Sequence, residues 1–180
     1  MARRLLEDSN RLESQIDKTL ELARIEGGGP LAEQAVPLAG WLERTLATIA
    51  EGHGERVRLR VQLDEALPDI LADAAAVQMI LRNLVENSVR HARRECVQVA
   101  VTARAHGGQV LLEYRDDGDG TAVPARELGR LFERGAGSAG SGVGLYLVRA
   151  LMNRMGGRAE FFSTAGQGFR AELRFPASAD

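Results

Sequence analysis

Asn83, Asn87 and Arg90 fall at i, i+4 and i+7 of the stretch VQMILRNLVENSVRHA. On a helix that spacing gathers them within about 60° of one another, opposite an apolar face of Val77, Leu81, Leu84, Val85 and Ser88. A polar stripe opposite an apolar one is ordinarily a solvated surface, but such surfaces favour Glu, Lys and Ala. Two asparagines one turn apart cost helix propensity and bring no charge pairing. A carboxamide oxygen is a good neutral ligand for a hard cation such as Mg²⁺, and an arginine one turn on suits phosphates that such a cation bridges.

A second group is RDDGDG, Arg115 to Gly120, at the end of the alternating run QVLLEY. A polar turn accounts for it when taken alone, since Asp and Gly tolerate left-handed backbone. A third is GAGSAGSGVG, Gly135 to Gly144, with five glycines in ten residues. Its first half matches a dinucleotide fingerprint, but no apolar strand precedes it and the helix begins later, near Gly144, so that reading fails. No glycine here is followed by Lys-Ser or Lys-Thr, which excludes a Walker loop. A flexible linker remains open. The run GSGVGLYLV nevertheless passes straight into an apolar helix, which puts backbone N–H groups and a helix dipole where a phosphate can bind.

The elements that must position these groups follow from hydrophobic periodicity. Residues 1 to about 25 read as one amphipathic helix, with Leu5, Leu12, Ile16, Thr19, Leu20 and Ala23 on one side. The run EGGGP stops it. Its apolar stripe needs a partner, either the following domain or helices of another copy. LAGWLERTLATIAE predicts a helix with Trp41 as a core anchor, and RVRLRVQL a strand with Val57, Leu59, Val61 and Leu63 on one face. The helix carrying the asparagines runs from about Ala74 to His91. VQVAVTA and QVLLEY form a hairpin at HGG. A short helix near PARELGRLF, a helix at GLYLVRALMNRM, and strands RAEFFS and FRAELRF around the turn AGQG complete the chain. Single-faced alternation predicts an α+β fold, a two-layer α/β sandwich preceded by one long helix.

Composition excludes several classes. The 180 residues, 44% of them hydrophobic, suffice for one sizeable core. With 23 basic and 25 acidic residues the net charge is −2, which gives no overall drive toward nucleic acid or an anionic membrane. A single cysteine, Cys96, excludes an internal disulfide and a cysteine-cluster zinc site, and its flanks ECVQVAV suit a buried strand. No apolar run approaches the roughly 20 residues that cross a bilayer. The N-terminus lacks the apolar stretch of a signal peptide.

In order, Asn-x₃-Asn on a helix, Asp-x-Gly-x-Gly after a strand and Gly-x-Gly-x-Gly opening a helix form a far more specific signal than any one alone. The combination resembles the catalytic and ATP-binding domain of sensor histidine kinases, within the ATPase superfamily shared with gyrase, MutL-type repair proteins and the ninety-kilodalton heat-shock chaperones. LRNLVENSVRHA resembles the N box, DDGDG the first glycine box, LFERG the F box and GSGVGL the second glycine box. RLESQIDKTLELARIEGG resembles the second helix of the dimerisation and phosphotransfer hairpin. The resemblance implies three segments: that partial helix at 1–26, a linker at 27–37, and an ATP-binding catalytic domain at 38–180. It further implies that Asp116 accepts from the adenine amino group and that Gly118 and Gly120 admit the ring. Asn87 would bind Mg²⁺ with Asn83 in support, and Arg90 would contact phosphate. Phe132 would anchor a lid, and Arg134 would reach the γ-phosphate on closure. Gly140, Gly142, Gly144 and the Leu145 amide would wrap the phosphates.

The position of Asn83 resembles one that holds a water-activating glutamate in hydrolytic members of the superfamily. Asparagine cannot serve as that base, so the resemblance implies transfer of the ATP γ-phosphoryl group rather than hydrolysis. The implied partners are a response regulator receiver domain and, in the full-length kinase, a second copy of the chain. The implied location is the cytoplasm, with any inner-membrane anchor outside these residues. The sequence departs from the family in three ways. The lid between Phe132 and Gly140 is short, Phe169 stands where the family often has Thr, and none of His53, His91 and His106 resembles the phosphoacceptor. An acceptor helix upstream of residue 1 is therefore expected. A degenerate nucleotide-binding or pseudokinase module and an anti-sigma-factor-type serine kinase are the alternatives.

Overall fold

The chain, described by a computed structural model at Ile16, Leu20, Ala23 and residues 27–124, 127–129 and 143–178, folds as two units, Met1–Pro30 and Leu31–Asp180. In the first unit Ile16, Leu20 and Ala23 are helical, and the Gly27 amide donates to the Ala23 carbonyl at 2.8 Å. Gly28, at φ +75°, then takes the left-handed conformation with which glycine ends helices. Leu5, Leu12 and Thr19 of the expected stripe lie outside the described residues.

The second unit contains β1 (Gln34–Val36), α1 (Leu38–Glu51), β2 (Val57–Leu63), β3 (Ile70–Ala72), α2 (Ala74–His91), β4 (Val97–His106), β5 (Gln109–Asp116), α3 (Val143–Arg154), β6 (Arg158–Ser163) and β7 (Phe169–Pro176). Five strands form one sheet in the order β2-β4-β5-β7-β6, parallel only between β2 and β4, while β1 and β3 pair separately. Thus part of the stretch expected as a linker, residues 27–37, is a strand of the second unit.

Register explains the layers. Val101 opposes Tyr114, Tyr114 opposes Ala171, and Leu112 opposes Leu173, so these buried residues share one face. The buried sides of α1 (Leu42, Leu46, Ile49), α2 (Val77, Ile80, Leu81, Leu84) and α3 (Leu147, Val148, Leu151) complete that core. α2 packs against α3, α1 against β2, and α3 against β6 and β7. Each leucine fully buried here contributes roughly 1.5–3 kcal/mol. The expected two-layer sandwich is therefore the fold found.

The opposite sheet face carries ion pairs. Arg115 reaches Glu113 at 2.6 Å, Arg170 and Arg174 reach Glu172 at 3.2 and 3.0 Å, and Arg158 reaches Glu160 at 2.9 Å. The Arg115 hydrogen bond holds the Glu113 carboxyl below its ordinary pKa, against the opposing effect of partial burial.

Local chemistry sets the helix that matters most. Asp73 caps α2, its Oδ1 accepting from the amides of Ala75 and Ala76 at 2.9 and 3.0 Å and its Oδ2 from Ala32 at 2.8 Å. At the far end Arg56 donates to the Val89 carbonyl at 3.1 Å. The hairpin turn uses Gly107 and Gly108 at φ +57° and +74°, the left-handed pair that a two-residue turn requires.

Three expectations change. Trp41 is only half-buried, because the α1 stripe facing the core is Leu38, Leu42, Leu46 and Ile49. α1 is also broken at Ala39 and Gly40, the latter at φ +70°. Cys96 is half-buried and precedes β4 rather than lying in it. Of the short helix near residues 124–132, only 124 and 127–129 are described; 127–129 are in a turn, and the Glu127 amide donates to the Pro124 carbonyl at 2.8 Å.

Candidate functional site

The three aspartates of RDDGDG have three distinct partners. Asp116 ends β5 on the same face as Leu112 and Tyr114, so its side chain lies on the helix-covered side of the sheet. Its Oδ1 accepts from the amides of Gly118 and Phe169 at 2.9 and 3.0 Å. Its Oδ2 accepts from the Ser88 hydroxyl of α2. Asp117 faces the other way, tying β5 to the start of β4 through the Gln98 amide at 2.8 Å and pairing with Arg94 at 3.1 Å. Asp119 accepts from the Arg93 amide at 3.0 Å, while its own carbonyl accepts from Gly166 at 2.6 Å. Of the three, only Asp116 is hydrogen-bonded to a residue of α2 itself among the described residues.

Glycines make this approach possible. A Cβ on Gly168, at φ +80°, would sit 2.1 Å from the Asp116 carbonyl oxygen. On Gly120, at φ +62°, it would sit 2.1 Å from the Thr164 carbonyl oxygen. The structural requirement for Gly120 thus arises from the β6–β7 turn. Phe169, which departs from the expected Thr, is buried against Phe161 with ring centroids 6.0 Å apart, yet its amide still serves Asp116.

One turn and a half back along α2, Asn83 is 5% exposed, not part of a solvated stripe. Its Nδ2 donates to the Met79 carbonyl at 2.9 Å, while its Oδ1 is the one buried side-chain N or O atom without a hydrogen-bond partner among the described residues. That oxygen would lie 3.3 Å from a Cβ placed on Gly144, so α3 delivers its first turn, with Gly144 and Leu145, to this carboxamide. The packing of α3 on α2 explains why a residue assigned to the polar stripe is buried. Asn87 is half-buried and Arg90 exposed, both on α2. His91 ends the helix; desolvation by neighbouring protein and then the Arg90 charge hold its pKa below 6.5, with the Asp116 carboxylate pulling the other way. His91 is nonetheless exposed as a residue.

Phe132, Arg134, Gly140 and Gly142 lie outside the described residues. Of the others, Asn83, Asn87 and Arg90 lie on α2, Asp116 and Gly118 sit near its C-terminal end and Gly144 against its middle, with Asn83 and Ser88 about 7–8 Å apart along the helix axis, while Gly120 packs on the β6–β7 turn. Sequence reasoning placed Ser88 with the apolar face and passed over Tyr114, although the Tyr114 hydroxyl lies 2.7 Å from Ser88 Oγ. The available signal was a polar residue in an otherwise apolar stripe, beside a strand whose Tyr and Asp are two residues apart.

Comparison with known proteins gives the family. The family model of the histidine kinase-, DNA gyrase B-, and HSP90-like ATPase matches residues 72–179. The alginate biosynthesis sensor protein KinB of Pseudomonas aeruginosa is 32% identical over 178 residues, covering 94% of this chain and 29% of KinB. The signal transduction histidine-protein kinase BarA of Escherichia coli K12 is 28% identical over 174 residues, covering 89% of this chain and 19% of BarA. The chain therefore spans less than a third of the length of these relatives. Full-length ShkA, crystallised in complex with AMPPNP, superposes with a TM-score of 0.79 at 28% identity, covering 97% of this chain and 38% of that one. Acinetobacter baumannii histidine kinase AdeS, at 16% identity and a TM-score of 0.76, covers 98% of this chain and 84% of its own and shows the same fold. The chain belongs to the histidine kinase-, DNA gyrase B- and HSP90-like ATPase family, and its relatives group it with the catalytic domains of sensor histidine kinases.

Proposed function

We propose that this domain binds Mg-ATP and, within a two-component sensor histidine kinase, transfers the γ-phosphoryl group to a histidine, from which a response regulator receiver domain takes it. The observation that carries this reading is the Asn83 carboxamide oxygen, buried and without a hydrogen-bond partner among the described residues, beside the glycine in the first turn of α3. A buried acceptor left unpaired is costly, so it fits a ligand that supplies a cation or donor there.

The residues fit the implied metal. Among the described residues no three His, Cys, Asp or Glu side chains cluster to hold a cation. Asn87, supported by Asn83, would hold Mg²⁺, whose other ligands would be phosphate and water oxygens, as this cation prefers. The bound cation would supply neutralisation of phosphate charge. Asp116 would read the base amino group, Arg90 would contact the phosphates, and Gly144 and the Leu145 amide would help to wrap them; the lid role of Phe132, the γ-phosphate contact of Arg134 and the phosphate contacts of Gly140 and Gly142 are what the resemblance implies for residues outside those described. In the transfer, the bond from γ-phosphorus to the bridging oxygen breaks, a P–N bond forms to an imidazole, and ADP leaves. The imidazole proton passes to an acidic residue beside the acceptor. No carboxylate stands at the Asn83 position to activate water, which favours transfer over hydrolysis.

The helix bearing Ile16 and Leu20, 57% and 64% exposed, would contribute to a dimer of the full-length kinase. No helix among the described residues is long and apolar enough to cross a membrane. We place the domain in the cytoplasm, with membrane attachment left to other segments.

Calorimetric titration with Mg-ATP tests the reading. The Asp116→Asn variant should bind about 2–4 kcal/mol more weakly, having lost a hydrogen bond to a charged group and gained a mismatched polar edge. Equal affinity for variant and parent would refute the assignment. With γ-labelled ATP these 180 residues alone should take up no acid-labile label, and a supplied hairpin carrying the acceptor histidine should be labelled.

A further inference from the structure

Ser88 is 3% exposed and Tyr114 fully buried, and neither belongs to the machinery proposed above. The Ser88 hydroxyl touches two groups: Tyr114 Oη at 2.7 Å and Asp116 Oδ2. A serine hydroxyl has one proton, and an ionised carboxylate can only accept. Ser88 must therefore donate to Asp116, and Tyr114 must in turn donate to Ser88. Burial pushes the Tyr114 phenol pKa well above its ordinary value, which keeps it a donor.

The two oxygens of Asp116 then differ. Oδ1 already takes two backbone donors, the amides of Gly118 and Phe169, which use both its lone-pair directions. Among the described residues Oδ2 takes only Ser88, which leaves one direction for a ligand. A base can meet this carboxylate only by presenting an N–H group to that remaining direction. A base that presents an oxygen there finds no donor, because the Ser88 proton is committed to Oδ2 and the Tyr114 proton to Ser88.

We propose that Ser88, oriented by Tyr114, is a positioning residue that fills one acceptor direction of Asp116 Oδ2, keeps a donating water out of it, and so sharpens the choice of 6-amino over 6-oxo purine nucleotides. The inference rests on the reading of Asp116 as the base-recognition group. Removal of the hydroxyl makes room at Oδ2 for a water, which can turn to donate to a 6-oxo group and blur the choice.

The test compares the affinities of ATP and inosine 5′-triphosphate for the whole chain, with the melting temperature of each variant as a check on folding. The parent should prefer ATP. Ser88→Ala should lower the ATP-to-ITP ratio by about tenfold, the scale of one hydrogen bond to a charged group. Ser88→Thr should keep the ratio, and Tyr114→Phe should lower it by a smaller factor, since Ser88 still reaches Asp116. If Ser88→Ala weakens both nucleotides equally, or neither, while Asp116→Asn still erases the preference, then Ser88 is merely structural and this inference falls alone. A parent without preference for ATP overturns the base-reading role of Asp116, and this inference with it.

Discussion

Two stretches of α2 treat their polar groups in opposite ways. Near the C-terminus, Tyr114, Ser88 and Asp116 form a chain of hydrogen bonds completed by two backbone amides. Near the middle, Asn83 satisfies its amide nitrogen on Met79, while its oxygen, beside Gly144, has no hydrogen-bond partner among the described residues. The first arrangement is organised in advance and offers a ligand one acceptor direction. The second carries a cost that a bound group can relieve. Under the proposed function the first would hold the base in a rigid frame and the second would be completed by the metal and phosphates, as catalysis by positioning and charge stabilisation requires.

The largest effect should come from breaking the rigid end. Gly168→Ala forces a side chain onto the Asp116 main chain at a left-handed φ, so β5 and the β6–β7 turn must part. We expect a stability loss above roughly 3 kcal/mol in denaturant unfolding, given about 1–2 kcal/mol for the backbone alone plus the clash. ATP affinity should fall with it. Gly166→Ala is the control, since it has a similar φ of +78° but nothing within 4 Å of the added Cβ; it should cost about 1–2 kcal/mol. Equal losses for the two would mean that the close approach at Asp116 carries no energy.

A smaller effect should mark the unpaired end. Asn83→Ala loses the Met79 hydrogen bond but also removes a buried oxygen without a partner, so stability should change by less than about 1 kcal/mol. Mg-ATP affinity should nevertheless drop about tenfold, with metal-free adenosine binding little altered. A large loss of stability without a change in affinity would make Asn83 a packing residue and dissolve the contrast between the two stretches.

The smallest effect should come from His91. Its folded pKa lies below 6.5, so the unfolded chain binds more protons as pH drops below that value. The stability contributed by neutral His91 is complete above pH 6.5 and declines as pH falls through the folded pKa. His91→Gln should flatten the stability profile in that window, and only slightly, because His91 is exposed. An unchanged slope would show that the protein surroundings of His91 do not favour its neutral form.

Much of this was legible beforehand. The alternation in QVLLEYRD puts Asp116 on the face of Leu112 and Tyr114, and that face is the buried one. The helix carrying the asparagines begins and ends where its periodicity indicated, at Ala74 and His91. Two regions were read less well. Trp41 looked like an anchor by size, but the leucine stripe of α1 turned it aside. Residues 31–37 looked like linker because their strand is only three residues long and pairs with a segment more than thirty residues away.

By itself the sequence determined the local torsions, the face of each strand and helix, and the order in which asparagines, aspartate and glycines meet the chain. These depend on neighbours within one turn or one pleat, so periodicity reports them. Only the tertiary structure decided that the Asn83 oxygen loses its water to α3, some sixty residues on, that Ser88 joins Asp116 to Tyr114, and that Gly120 and Gly168 admit foreign backbone rather than merely turn the chain. Which polar atom is stripped of solvent, and what it then faces, is set by contacts between elements distant in sequence. No local pattern encodes that.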